Sequence, residues 1–242
     1  MAIKRFRMFA GPNGSGKSTL IREIAKNYNM GYFINADEIK RLANGQNYIK
    51  LEDFLSKPIN NAVWYNFIEK YQNDLRLQGL NEILSLDKNI FVFHRTIDSY
   101  QAALIATFFR ENLLGSGKSF SFETVMSHPS KVDFLQKAKE NGFKTYLYFI
   151  CTQDPEINKL RVINRVSKGG HAVDEEKIVN RYFRSLGLLF QAFNNADRAF
   201  VFDSTFQGRN IILEKREHEL LFHTENVPEW VAIYLNDKYE LL

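Results

Sequence analysis

At 242 residues, with 45% hydrophobic and 25% charged side chains, the chain has the balance of an ordinary globular protein and room for one large α/β domain or a core domain with an insertion. Its net charge of +4, spread without a run of like charges, suits anionic small molecules and gives nucleic acid no specific support. The single cysteine, Cys151, excludes a disulfide within the chain and lies in the apolar run Tyr146 to Cys151, so it reads as a buried core thiol in a reducing compartment.

The chain opens on a predicted strand over Lys4 to Ala10, followed by Gly11-Pro12-Asn13-Gly14-Ser15-Gly16-Lys17-Ser18-Thr19 and a helix-period stretch from Ser18 to Asn27. The spacing G-x-x-x-x-G-K-[ST] fits Gly11, Gly16, Lys17 and Ser18. Glycines allow the tight turn that presents successive N–H groups to phosphate oxygens, and the start of the helix adds unpaired donors. Lys17 is placed to reach the β- and γ-phosphates of ATP, and Ser18 to offer its hydroxyl to a magnesium ion. The loop stands where a signal peptide would, and no apolar run approaches the ~20 residues of a membrane helix, so a cytoplasmic protein without a membrane partner is expected.

Tyr32-Phe-Ile34 is a second short strand, and it delivers Asp37 at its C-terminal end, the edge of an open parallel sheet where ligands bind. From about 41 to 97 the sequence turns Asn- and aromatic-rich, and the spacing of Ile59, Val63, Phe67, Ile68 and Tyr71 predicts a largely helical insertion in a single domain over 1–242. An apolar helix over Asp98 to Leu114 follows, with Ala102, Ile105, Ala106, Phe109 and Leu113 on one face. Gly115-Ser-Gly-Lys-Ser119 imitates a second phosphate loop but follows a helix and precedes a strand, the reverse of what phosphate binding needs.

That strand, Ser119 to Thr124, brings Glu123 and Thr124 to its C-terminal end. A helix from Ser130 to about Asn141, a buried strand from Lys144 to Thr152, and a helix opened by Asp154-Pro155 come next. Arg161 and Arg165 lie four apart on that last helix and face the same way. The double-glycine loop Ser167 to His171 leads into a helix from about Asp174 carrying Arg181. A strand over Ala199 to Phe202, an edge hairpin (211–215 with 219–223) and a helix over Val227 to Leu235 complete an α/β, P-loop kinase-like arrangement of parallel strands with helices on both faces.

Phosphoryl transfer needs a carboxylate to accept an alcohol proton and cations around the migrating group. Asp37, Glu123 and the stretch from Arg161 to Arg181 are the candidates. Other readings stand beside these: Asp37 as a helix cap or a magnesium ligand through water, Glu123 as a structural partner of Lys118, and each arginine as a solvated helix face. His171 and His128 have no partners at metal-ligand spacing, so no zinc site is expected. The loop sequence is also typical of transporter ATPases, but no LSGGQ-type signature accompanies it.

The strings FAGPNGSGKST, FINADEI, SFSFETVMSHPSK, YLYFICT and RVINRVSKGGHAVDEEKIVNRY, in this order, resemble the zeta toxin family of P-loop kinases. The resemblance implies a phosphotransferase that uses ATP and magnesium to phosphorylate a UDP-amino sugar, UDP-N-acetylglucosamine, and that an antitoxin protein can block. It implies Lys17 at the phosphates, Asp37 as the general base, Glu123 and Thr124 as the substrate-orienting pair, and Arg161 and Arg165 as transition-state arginines. His171 and Arg181 fall at lid positions. The sequence departs from the family at Asp174, where a proline often follows GGHxV, and in the long insertion after Asp37.

Overall fold

The computed structural model describes residues 3–170, 172–206, 208–217 and 219–235, and it divides them into two compact units. The first takes Met1–Asn29 with Glu123–Leu242, and the second takes Met30–Phe122. The second unit is thus wider than the predicted insertion at about 41–97.

The first unit opens with β1 (Arg5–Ala10) and α1 (Lys17–Asn27). The second contains β2 (Tyr32–Ile34), α2 (Ala36–Gln46), β3 (Tyr48–Lys50), α3 (Asn61–Lys70), α4 (Leu80–Ile83), β4 (Leu84–Asp87), β5 (Ile90–Phe93) and α5 (Ser99–Ser116), and leads into β6 (Phe120–Thr124). The first unit resumes with α6 (Ser130–Glu140), β7 (Lys144–Cys151), α7 (Pro155–Val166), α8 (Glu175–Gly187) and α9 (Leu189–Asn195). It ends with β8 (Arg198–Asp203), β9 (Asn210–Arg216), β10 (Glu219–Phe222) and α10 (Glu229–Leu235). The strands and helices make an α/β fold, its strands mostly parallel within the first unit.

In the first unit the strand order is β10-β9-β8-β7-β1, parallel from β1 to β8 and antiparallel across the edge hairpin β9–β10. The apolar end of β7, Leu147 to Cys151, fits this central position, while β1 is apolar on the face of Phe6 and Met8 and carries Arg5 and Arg7 on the other. Phe6, Met8, Leu147 and Phe149 are fully buried, and Phe134 of α6 meets Phe6 edge-on at 5.5 Å. Among the described residues no helix is long and apolar enough to cross a membrane.

In the second unit β2 pairs with β6 in parallel, and the stretch predicted as largely helical also contains a three-stranded antiparallel sheet, β3-β5-β4. The β4–β5 turn places Lys88 and Asn89 at φ 44° and 64°, the two consecutive left-handed residues that a tight two-residue hairpin turn requires. The α5 residues predicted to face the core are buried, but so are Leu104, Thr107, Phe108 and Arg110. An aromatic cluster explains the difference by covering a further side of α5. Trp64 meets Phe108 at 5.0 Å and Phe91 at 4.7 Å, and Phe54 stacks on Phe109 at 4.7 Å.

Candidate active site

The phosphate loop is cramped in a way that only its glycines permit. Gly11 has φ +143°, and a Cβ there would lie 2.0 Å from the Ile150 carbonyl oxygen. Gly14 has φ +78°, and its Cβ would lie 2.5 Å from the Asn158 carbonyl oxygen. The loop therefore beds directly on the end of β7 and the first turns of α7. Gly16, left-handed at φ 93°, caps α1 without a side chain, so the helix start is not screened by a capping group. Lys17 is buried, and its Nζ donates to the carbonyls of Gly11 at 2.9 Å and Pro12 at 2.8 Å.

Ser18 Oγ donates to Glu123 Oε1 at 3.3 Å. The carboxylate predicted as substrate-facing is thus beside the predicted metal-binding hydroxyl, and the Lys118 pairing is not what the structure records. Two hard oxygen donors so placed suit a magnesium ion, which takes one or two protein oxygens and keeps its waters. Thr124 Oγ1 accepts from the Met126 N–H at 3.0 Å and turns the chain out of β6, where Met126 is left-handed at φ 56°.

Two side chains that sequence reasoning did not single out fasten the loop from beneath. Asn158, fully buried in α7, donates through Nδ2 to the Asn13 carbonyl at 2.5 Å, and its Oδ1 accepts from the Thr152 hydroxyl. Tyr182 of α8 donates to the Thr152 carbonyl at 2.7 Å, and burial pushes its phenol above the usual range. Ser204 Oγ lies 2.8 Å from the Ser15 carbonyl, to which it donates. The available signal was local: Asp154 and Pro155 start α7 and so put Asn158 in its first turns, and Asp203-Ser-Thr205 ends a buried strand. Neither names a partner 145 or 189 residues away.

Arg161 is committed within the first unit. Its Nη2 donates to the Ser204 carbonyl at 2.5 Å and the Thr205 carbonyl at 3.3 Å, and Nη1 reaches Ser204 Oγ at 3.2 Å. Arg165 is exposed one turn later, where the Gly170 N–H donates to its carbonyl at 3.0 Å. Arg181 is half-buried in α8, and His171 lies outside the described residues. Asp37 belongs to the second unit, exposed in the first turn of α2. The cap of that helix is Asn35, whose Oδ1 accepts from the N–H groups of Asp37 at 2.8 Å and Glu38 at 3.3 Å. Capping by Asp37 is therefore not needed, and its carboxylate is exposed. Cys151 is buried in β7, and burial raises its thiol well above the ordinary range, as the core reading requires.

A chain in the solved PezAT chromosomal toxin–antitoxin system of Streptococcus pneumoniae superposes with a TM-score of 0.54 over 99% of this chain and 81% of its own length, at 14% identity. The chain shares its fold with a component of a toxin–antitoxin system. The AvrRxo1-ORF1:AvrRxo1-ORF2 complex with sulphate ions gives a TM-score of 0.54 at 14% identity, over 92% of this chain and 61% of the neighbour. An uncharacterized protein of Haemophilus influenzae is 38% identical over 63 residues, which span 26% of this chain and 45% of that relative. No protein-family model matches the chain.

Proposed function

We propose that this chain is a phosphotransferase of the zeta toxin type, passing the γ-phosphoryl group of ATP to a hydroxyl of a UDP-amino sugar such as UDP-N-acetylglucosamine. The observation that carries the reading is the phosphate loop with Lys17 folded into it and Ser18 hydrogen-bonded to Glu123. Ser18 and Glu123 would supply oxygens to hold a magnesium ion, which would neutralise charge on the phosphates. Lys17 holds the same phosphates. Asp37 accepts the proton of the attacking alcohol as its oxygen bonds to phosphorus and the bond to ADP breaks. Arg165, with Arg181 and His171, supplies the cationic side of the lid. Thr124 helps orient the acceptor. An antitoxin-like protein is the proposed partner, supported by the shared fold with the PezAT component.

Transfer from γ-labelled ATP to UDP-N-acetylglucosamine, other UDP-sugars, nucleosides and oligonucleotide ends tests this directly. Label on a UDP-sugar, lost in Lys17→Ala and in Asp37→Asn, is the expected result. Label on another acceptor would overturn the substrate and keep the kinase. An Asp37→Asn chain that transfers at the parental rate would remove Asp37 as the base.

A further inference from the structure

Away from the phosphate loop, one face of the first unit's sheet has the wrong chemistry for an interior layer. Strand register aligns Arg7, Tyr146, Arg198 and Arg216 in one row across β1, β7, β8 and β9. The next row on the same face is Phe9, Tyr148, Phe200 and Glu214, because side chains return to a face every second residue. Phe9, Tyr148 and Phe200 stack in series at 4.7 and 5.0 Å and form a solid floor. Over the charged row lies a cleft of about 550 Å³, walled by the end of α1 at Tyr28, which is 57% exposed. That volume is in the range of small-molecule sites.

The cleft is electropositive and one of its cations is poorly satisfied. Arg5, Arg7, Arg198 and Arg216 line it against a single carboxylate, Glu214. Glu214 is already engaged, by Arg216 at 2.7 and 3.0 Å and by Arg198. Arg7 is only 5% exposed, its guanidinium rests 5.3 Å from the Tyr146 ring centroid, and its Nε and Nη1 have no hydrogen-bond partner among the described residues. Arg198 Nε is likewise buried without a partner. Buried guanidinium nitrogens without an acceptor are unfavourable unless something accepts from them. The planar fork of a guanidinium matches two oxygens of one anion.

We propose that this cleft is a second ligand site, taking a small organic phosphate whose phosphate group sits on Arg7 and its neighbouring guanidiniums and whose organic part lies against Tyr146 and Tyr28. The excess of three positive charges, four guanidiniums less one carboxylate, favours a dianion. The aromatic lining favours a ligand with a carbon body over a bare ion. Arg7 precedes Gly11 by four residues of extended chain, roughly 13 Å, so the cleft is at the opposite end of β1 from the phosphate loop. The inference stands apart from the kinase proposal.

The test uses the full chain with Lys17→Ala, which weakens phosphate binding at the loop, titrated calorimetrically with UMP, glucose 6-phosphate, inorganic phosphate and citrate. Saturable binding of an organic phosphate at one site per chain is expected, tighter than phosphate or citrate and weakened at least about tenfold by Arg7→Met. Because two of the three Arg7 nitrogens are buried without an acceptor, Arg7→Met should melt at or above the parent temperature. Tyr28→Ala, at an exposed position, should weaken binding and leave folding intact. Absence of saturation by any probe up to about 10 mM would overturn the site, as would unchanged affinity in Arg7→Met. Citrate binding as tightly as the organic phosphates would overturn the phosphate assignment. A lowered melting point in Arg7→Met with binding intact would make Arg7 a structural residue instead.

Discussion

Replacing Asn158 with leucine removes the fastening beneath the phosphate loop while keeping similar volume. Asn158 is fully buried and makes two side-chain bonds, to the Asn13 carbonyl and from the Thr152 hydroxyl. Each lost bond costs ~1 kcal/mol net, and an acceptor stranded without water costs a further ~1–3 kcal/mol. The Thr152 hydroxyl has a second acceptor, the Asp154 carbonyl at 3.1 Å, so that side is partly rescued. The Asn13 carbonyl is left to half-exposed surroundings. The sum is about 2–4 kcal/mol, a large share of a typical domain stability of ~5–15 kcal/mol but short of unfolding it. Urea unfolding should show this as a lower midpoint at unchanged slope. Magnesium-ATP should bind about three- to tenfold more weakly, because the loop must be ordered at the expense of binding. A stability loss below about 0.5 kcal/mol with unaltered ATP affinity would refute the fastening role.

Gly14→Ala should be destabilised by ~1–3 kcal/mol and lose ATP binding, because the new Cβ falls 2.5 Å from a backbone oxygen at φ +78°; thermal melts with and without ATP check it. Trp64→Ala should cost about 3–5 kcal/mol, since the ring is buried among Phe67, Phe91 and Phe108, and denaturant titration measures it. Glu214 is held below the usual carboxylate range, first by its hydrogen bond to Arg216 and then by that to Arg198, against the opposing effect of burial. Its stabilisation is therefore complete above the unfolded value near ~4.3 and is lost as pH falls through the lower folded value. Glu214→Gln should be less stable than the parent at pH 7 by ~1–2 kcal/mol and nearly equal to it at about pH 2, read from urea midpoints.

Readability followed the range of the interactions involved. The phosphate loop was legible because its glycines, lysine and serine are contiguous and each backbone demand has one cheap solution. The strands β1, β7 and β8 were legible as short apolar runs bounded by turn signals, even though β1 and β8 carry arginines on one face. The three-residue strand β3 has too few positions to show a period. The ring of burial around α5 has a similar cause: aromatic side chains from the second unit decide which faces are dry, and no spacing within the helix records that. Asn158 and Ser204 were illegible for a simpler reason, since a polar side chain that bonds a distant carbonyl looks, in sequence, like one that bonds water.

The arginines illustrate how geometry redistributes roles that sequence spacing leaves equal. Arg161 and Arg165 share a helix face by spacing, yet Arg161 spends its fork on the Ser204 and Thr205 carbonyls beside the loop. Ser204 in turn donates to the Ser15 carbonyl, so Arg161 acts on the loop through the end of β8. A guanidinium held by three acceptors has little left to follow a migrating phosphoryl group, whereas its charge still reaches across the loop. On the proposed reaction, Arg161 is a positioning residue and Arg165, exposed one turn later, the one that approaches phosphate. The two should then differ in kind: Arg161→Lys, which loses the planar fork, weakens the loop and ATP binding together, while Arg165→Gln lowers kcat and spares stability.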